Sequence, residues 1–224
     1  MVSFLTELGE RIAGLAKGAK KPSAKWVAAF EPLNLVKVSF FGKENSTVRR
    51  ITRCELQHSP MTLGHLESGL VIACLADVLD RTAKEGIEDD RLFRLVSSCS
   101  KALKAKPGGS MPILAYAEFW LLHCMGVLPH SRACGQCGNK DAPFVLLGDQ
   151  GWLCSACTPS DDSESLPPGS KEYLSNIRST KAEDMPGIEE SHASRPITQL
   201  LRDRLLNELG RLKSYDVLFR MVSV

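Results

Sequence analysis

No stretch of this sequence approaches the ~18 consecutive apolar residues of a membrane span, so no transmembrane helix is expected. Met1-Val-Ser-Phe-Leu-Thr-Glu-Leu-Gly-Glu10 also lacks a basic segment followed by an apolar core, which argues against a secretory signal. The common catalytic signatures are missing too. There is no Gly-x-x-x-x-Gly-Lys-[Ser/Thr] loop to cradle phosphates, no Gly-x-Ser-x-Gly elbow and no His-Glu-x-x-His helix. No His-x-Glu is combined with Pro-Cys-x-x-Cys, so the zinc-deaminase arrangement fails. His58, His65, His123, His130 and His192 are scattered. His123 falls in an apolar run and reads as a packed polar residue; His130 is an alternative ligand four residues before Cys134. The expectation is a protein that is not an enzyme and has no membrane partner.

Without an export signal, eight cysteines point to the reducing cytoplasm rather than to a disulfide framework. Cys54, Cys74, Cys99 and Cys124 stand singly and are expected to be small buried apolar residues. The other four form Cys134-Gly-Gln-Cys137 and Cys154-Ser-Ala-Cys157, with 16 residues between the pairs. Each short loop turns two thiolates toward one point, and the excursion between them is long enough to return as a hairpin. Phe144-Val-Leu-Leu147 and Trp152-Leu153, flanking Gly148-Asp-Gln-Gly151, read as its two short strands. One zinc ion per chain is the expectation, held by Cys134, Cys137, Cys154 and Cys157; four buried or disulfide-bonded cysteines are the alternative. Such a site is structural, because four thiolates leave no open position for water or substrate.

The net charge of +2 conceals an asymmetry. Residues 1–53 carry ten Lys or Arg against four acids, whereas the remainder carries 18 basic and 22 acidic groups. A basic front points to a polyanionic partner, with a solvated charged face as the alternative. Lys17-Gly-Ala-Lys-Lys-Pro-Ser-Ala-Lys25 places four lysines in nine residues, and Gly18 and Pro22 make it an exposed loop. Lys17, Lys20, Lys21 and Lys25, with Arg49 and Arg50, are the candidate DNA contacts. Trp26 and Phe30 are either base-stacking residues or core.

The hydrophobic period changes along the chain. In Leu33-Asn-Leu-Val-Lys-Val-Ser-Phe40, Val36, Val38 and Phe40 share one face, the period of a half-buried strand. Ser46-Thr-Val-Arg-Arg-Ile-Thr-Arg53 reads as its partner across a turn at 42–45, and Arg11–Ala16 as a third strand. From Pro60 onward the spacing becomes helical. Leu66, Leu70, Ala73, Cys74 and Val78 mark a buried helix, and Leu92, Leu95, Val96, Cys99 and Leu103 an amphipathic one. A central helix runs from Ser110 toward Gly126, and a short one includes Tyr173, Leu174 and Ile177. Residues 179–195 are expected to be a polar loop. A last helix opens at Arg195, with Ile197, Leu200, Leu201, Leu205, Leu209 and Leu212 facing inward.

Leu5-Thr-Glu-Leu-Gly-Glu-Arg-Ile-Ala-Gly-Leu-Ala-Lys-Gly-Ala-Lys-Lys21 resembles the Thr-Glu-x-Gly-strand-Lys-Gly-Ala-Arg-Arg motif of the bacterial DNA-repair mediator family RecO. Lys20 and Lys21 stand where arginines are common in that family. Phe30-Glu-Pro-Leu33 is similar to its following Gln-Pro-Phe segment, and the order of strands, helices and cysteine pairs matches over nearly the whole chain. The resemblance implies an α+β protein: an OB-fold β-barrel at 1–58, then an all-helical domain at 59–224 with a four-cysteine zinc-finger insertion at 130–160. It implies binding of single- and double-stranded DNA, annealing of complementary strands, and cooperation with RecR. It also implies binding of the C-terminal tail of single-stranded-DNA-binding protein (SSB) so that RecA can load, in the cytoplasm beside the nucleoid. Lys17, Lys20 and Lys21 carry over from the motif; Lys25, Arg49 and Arg50 rest on charge.

One departure matters. Family members begin with another strand and a half before the Thr-Glu-x-Gly stretch, so the barrel is expected to be incomplete, lacking its first strand. With three strands where an OB-fold uses five, the amino-terminal module is expected to be mobile or self-associating, and the physiological chain to begin upstream of Met1. The rival reading is a zinc-ribbon protein–protein adaptor without direct DNA binding.

Overall fold

A computed structural model describes residues 1–17, 28–41, 48–128, 133–140, 145–147, 151–158, 166–187 and 193–222. The expected turn at 42–45 lies outside them. The amino-terminal part forms one four-stranded sheet: β1 (Val2–Leu5), β2 (Arg11–Leu15), β3 (Leu35–Phe41) and β4 (Val48–His58). The spatial order is β1-β2-β4-β3. β1 and β2 are an antiparallel hairpin, β2 and β4 run parallel, and β3 and β4 pair antiparallel with a register shift between Ser39 and Phe40. Among the described residues four strands are present, where three were expected. Val2-Ser-Phe-Leu5 is short, but Phe4 points inward and earns it a place in the sheet.

The sheet is strongly curled. If it were flat, β1 and β3 would lie three strand spacings apart, about 14 Å. Yet the rings of Phe4 on β1 and Phe40 on β3 meet edge-to-face with centroids 5.7 Å apart, and Phe30 joins Phe4 at 6.2 Å. Gly14 permits the curl: a Cβ there would stand only 2.8 Å from the Ile51 side chain and 3.1 Å from the Phe4 ring. The outer backbone edges of β1 and β3 have no strand partner among the described residues.

The helical part comprises α1 (Leu66–Thr82), α2 (Asp90–Ala105), α3 (Ser110–Cys124), α4 (Ser170–Ser179), α5 (Ser194–Leu209) and α6 (Lys213–Val222). Asp89 caps α2, its carboxylate accepting from the Arg91 backbone N–H at 3.1 Å. α3 is buried on nearly every side and touches α1, α2 and α5. On α1 the buried face is Ser68, Val71, Ile72, Cys74, Leu75 and Val78; Leu66, expected inside, is exposed at the first turn.

Two further expectations need correction. Within the stretch read as a polar loop, Ala182–Gly187 forms a 3-10 turn that buries Ala182 and Met185 completely. The single terminal helix is two, because the chain breaks at Gly210 and restarts as α6, which returns Tyr215 and Leu218 to the core.

The sheet is tied to the helices along a seam. Arg11 pairs with Asp80 at 3.1 Å while its backbone N–H donates to the Lys84 carbonyl at 3.1 Å. The Ser100 hydroxyl donates to the Leu33 carbonyl at 3.3 Å, and Leu33 holds a left-handed φ of 59°, uncommon for a bulky residue. Gly9 turns the β1–β2 hairpin at φ 83°, and a Cβ there would collide with the Asp89 backbone. Between the unpaired edges of β1 and β3 and the flanks of α1 and α2 lies a cavity of about 550 Å³, lined by Leu5, Ile12, Val38, Leu79 and Phe93 among others.

Glu118 sits wholly inside on α3, near Tyr215 of α6 and Arg202 of α5, and its Oε1 has no hydrogen-bond partner among the described residues. Burial pushes its carboxyl up to about 8, against smaller opposing pulls from Tyr215 and Arg202. The folded state therefore keeps a proton that the unfolded chain releases once pH exceeds about 4.5. This contribution favours folding at low pH and is lost progressively as pH rises from about 4.5 toward 8. Glu118→Gln should remove the dependence. Urea denaturation should show the variant more stable than the wild type at pH 8, by about 2 kcal/mol or more, with the two converging near pH 5.

Candidate metal centre and nucleic-acid interface

The candidate metal centre is built on a hairpin. β5 (Val145–Leu147) and β6 (Gly151–Leu153) pair antiparallel, and β6 runs straight into Cys154. The first knuckle is closed by Gly138 N–H donating to the Cys134 carbonyl at 2.9 Å, the second by Cys157 N–H donating to the Cys154 carbonyl at 3.0 Å. Gly135 N–H reaches the Trp152 carbonyl at 2.8 Å and so locks the two knuckles together. Trp152, Leu153, Cys134 and Cys154 all enter the main hydrophobic core, which anchors the hairpin to the helices.

The four sulfurs of Cys134, Cys137, Cys154 and Cys157 lie within 4.8 Å of one another. Cys137 Sγ and Cys154 Sγ are 3.7 Å apart, far too long for a disulfide. A tetrahedron with metal–sulfur bonds of about 2.3 Å has sulfur–sulfur edges of about 3.8 Å, so the spacing fits a single ion at the centre. The electrostatics agree. Backbone N–H groups, first that of Cys137, lower the Cys134 thiol to about 6. Hydrogen bonding with the other sulfurs, Cys137 first, pushes the Cys157 thiol up to about 12, with desolvation and the Cys134 charge adding to it. Full ionisation of the set needs a cation. Of the single cysteines, Cys74 and Cys99 are pushed up to about 12 by burial, which leaves inert thiols, in contrast to Cys134. His123 is buried, 3.1 Å from an Arg178 nitrogen and packed edge-on to Phe119. His130 lies outside the described residues.

The candidate DNA contacts divide by face. Lys17 is exposed just beyond β2; Lys20, Lys21, Lys25 and Trp26 lie outside the described residues. Arg49 is partnered with Gly14 in register on the inner face, half-buried and engaged with other groups, whereas Arg50 projects outward opposite Leu15 and Phe41. Phe30 packs with Phe4 inside the module. Lys37 and Arg53, which are not among the candidate contacts, share the outer face with Arg50. The signal was available: Lys37 alternates with the inward Val36 and Val38. Arg53 is salt-bridged to Glu55, the neighbouring acid on this face.

Family models bear on the chain as a whole. The description "Recombination protein O N terminal" matches residues 1–60, and "Recombination protein O C terminal" matches residues 65–216. The chain belongs to the RecO family. Among its relatives, the DNA repair protein RecO of Koribacter versatilis is 29% identical over 158 residues, covering 69% of this chain and 64% of that protein. The DNA repair protein RecO of an Exiguobacterium species is 25% identical over 222 residues, covering 98% and 88%. That of Acetivibrio thermocellus is 26% identical over 217 residues, covering 95% and 81%. Membership agrees with the Thr-Glu-x-Gly stretch, whose Thr6, Glu7 and Gly9 form the β1–β2 turn; the Thr6 hydroxyl accepts from Glu10 N–H at 3.1 Å. No helix among the described residues is long and apolar enough to cross a membrane.

The metal site can be tested directly. Reduced protein should take up one Co²⁺ per chain with strong thiolate-to-metal charge transfer and the visible bands of a tetrahedral complex. Cys154→Ser should abolish both and lower the melting temperature of the helical part, because the hairpin carries Trp152 and Leu153 into the core.

Proposed function

We propose that this chain is a DNA-binding recombination-repair mediator. The observation that carries the reading is the cationic outer face of β3 and β4, where Lys37, Arg50 and Arg53 are exposed in the segment that the RecO amino-terminal model covers. Cations on an exposed sheet meet phosphates at little desolvation cost, which gives affinity without sequence preference. Lys17, Lys20, Lys21, Lys25, Arg49 and Arg50 are proposed contacts, joined by Lys37 and Arg53 of the outer face. Arg50, facing outward, contributes more than Arg49.

In this reading residues 1–58 are an OB-type module and 59–224 the helical domain. The curled sheet supports the assignment: one strand set between β1 and β3, above the cavity, would close a five-stranded barrel. The ion in the four-cysteine insertion is zinc, with a structural role. The protein binds single- and double-stranded DNA, anneals complementary strands, and acts with RecR and the SSB tail to admit RecA, in the cytoplasm. It works by binding and not by catalysis.

Oligonucleotide binding measured across a salt series tests the reading. Replacing Lys17, Lys20, Lys21 and Lys25 with Ala should weaken binding to all sequences and flatten the salt slope on single strands by roughly 0.7 per lost contact. Arg50→Ala should cost more affinity than Arg49→Ala. Wild-type protein that binds no oligonucleotide at low salt would favour the zinc-ribbon adaptor.

A further inference from the structure

Beside Arg50 the same face carries an aromatic that the charge pattern does not explain. Phe41 ends β3 with 73% of its surface exposed. It is register partner to Arg50, which is in turn partner to Leu15, itself 40% exposed. Directly opposed residues point to the same side of a sheet with Cβ atoms about 5 Å apart, so Leu15, Arg50 and Phe41 form one row across three strands. Two residues along β3, Ser39 faces Arg53; two further, Lys37 faces Glu55. The rows recur about every 6.8 Å along the strand. The inner face is the reverse: there Phe40 opposes Ile51, which is only 3% exposed. Phe41 is thus the aromatic that alternation turns to solvent; it shares its row with Arg50, with Arg53 one row away and Lys37, opposite Glu55, two rows away.

A lone exposed apolar residue is ordinary. An exposed aromatic beside a cation is a combination suited to a ligand with both a flat π face and a negative charge. The narrow apolar strip, framed by charge, suits a base–phosphate unit better than an apolar protein surface. We infer that Phe41 is a base-stacking residue of this face, that Arg50 holds the adjoining phosphate, and that the row selects single-stranded nucleic acid over duplex. The inference rests on the nucleic-acid reading above. Selection follows from geometry. Bases in a duplex are already stacked on both sides and offer Phe41 no face, whereas an unpaired base does. Arg50 attracts both forms alike.

The test compares wild type, Phe41→Ala, Phe41→Leu and Phe41→Trp by fluorescence anisotropy, using labelled oligothymidylate and a duplex of matched length across a salt series. Phe41→Ala should weaken single-strand binding roughly tenfold with an unchanged salt slope, and leave duplex binding unaltered. Phe41→Leu, apolar but without a π face, should also be impaired, and Phe41→Trp should bind as well as wild type or better. Equal loss on single strands and duplex, or no loss on either, would overturn the inference while leaving the nucleic-acid reading intact. Wild-type protein that binds neither oligonucleotide would overturn the reading, and the inference with it.

Discussion

The structure depends on the burial of α3. Ser110-Met-Pro-Ile-Leu-Ala-Tyr-Ala-Glu-Phe-Trp-Leu-Leu-His-Cys124 is apolar around most of its circumference, so it is stable only when enclosed. α1, α2, α5 and the 3-10 turn at Ala182–Gly187 enclose it, and Trp152 and Leu153 of the cysteine hairpin belong to the same core. Removing any one of these would expose an apolar flank. That is why a hairpin with strands of only three residues has structural consequences: the four cysteines sit on a hairpin that is also part of the core.

Enclosing α3 also buries three polar side chains, Ser110, Glu118 and His123. Glu118 is kept near neutral by burial. His123 is wedged against Phe119 beside Arg178, whose guanidinium also lies over the Phe119 ring at 5.5 Å. The amino-terminal sheet needs less of this core. It has its own, of Phe4, Phe30, Phe40 and Ile51 around Gly14, and joins the helices through Arg11–Asp80 and Ser100–Leu33. These bonds tie the module to the helices along a seam. They also leave the outer face of β3 and β4 exposed to a partner.

Much of this was legible in the sequence because its signals are local. Period-two alternation gave β3, helical spacing gave α1 to α3, and paired cysteines gave the four-sulfur cluster. What escaped depends on distant partners. β1 is four residues long and is held by pairing with β2, which no local pattern announces. Ala182 and Met185 are spaced like one face of a turn, but acids and a proline around them masked it. α6 was merged with α5 because leucines continue across Gly210. At the candidate interface, attention to cations picked out Arg49 and Arg50 together, although adjacent strand residues point to opposite faces. The same alternation that places Phe40 inside turns Phe41 out.

The central claim is that a metal-clamped helical body carries a sheet whose outer face receives nucleic acid. Backbone hydrogen exchange with and without an excess of single-stranded oligonucleotide tests it most directly. The account predicts added protection concentrated in 37–41 and 49–53, with 66–82 and 110–124 slow and unchanged in both states. Protection confined to the cysteine hairpin or the helices, with β3 and β4 unaffected, would contradict it.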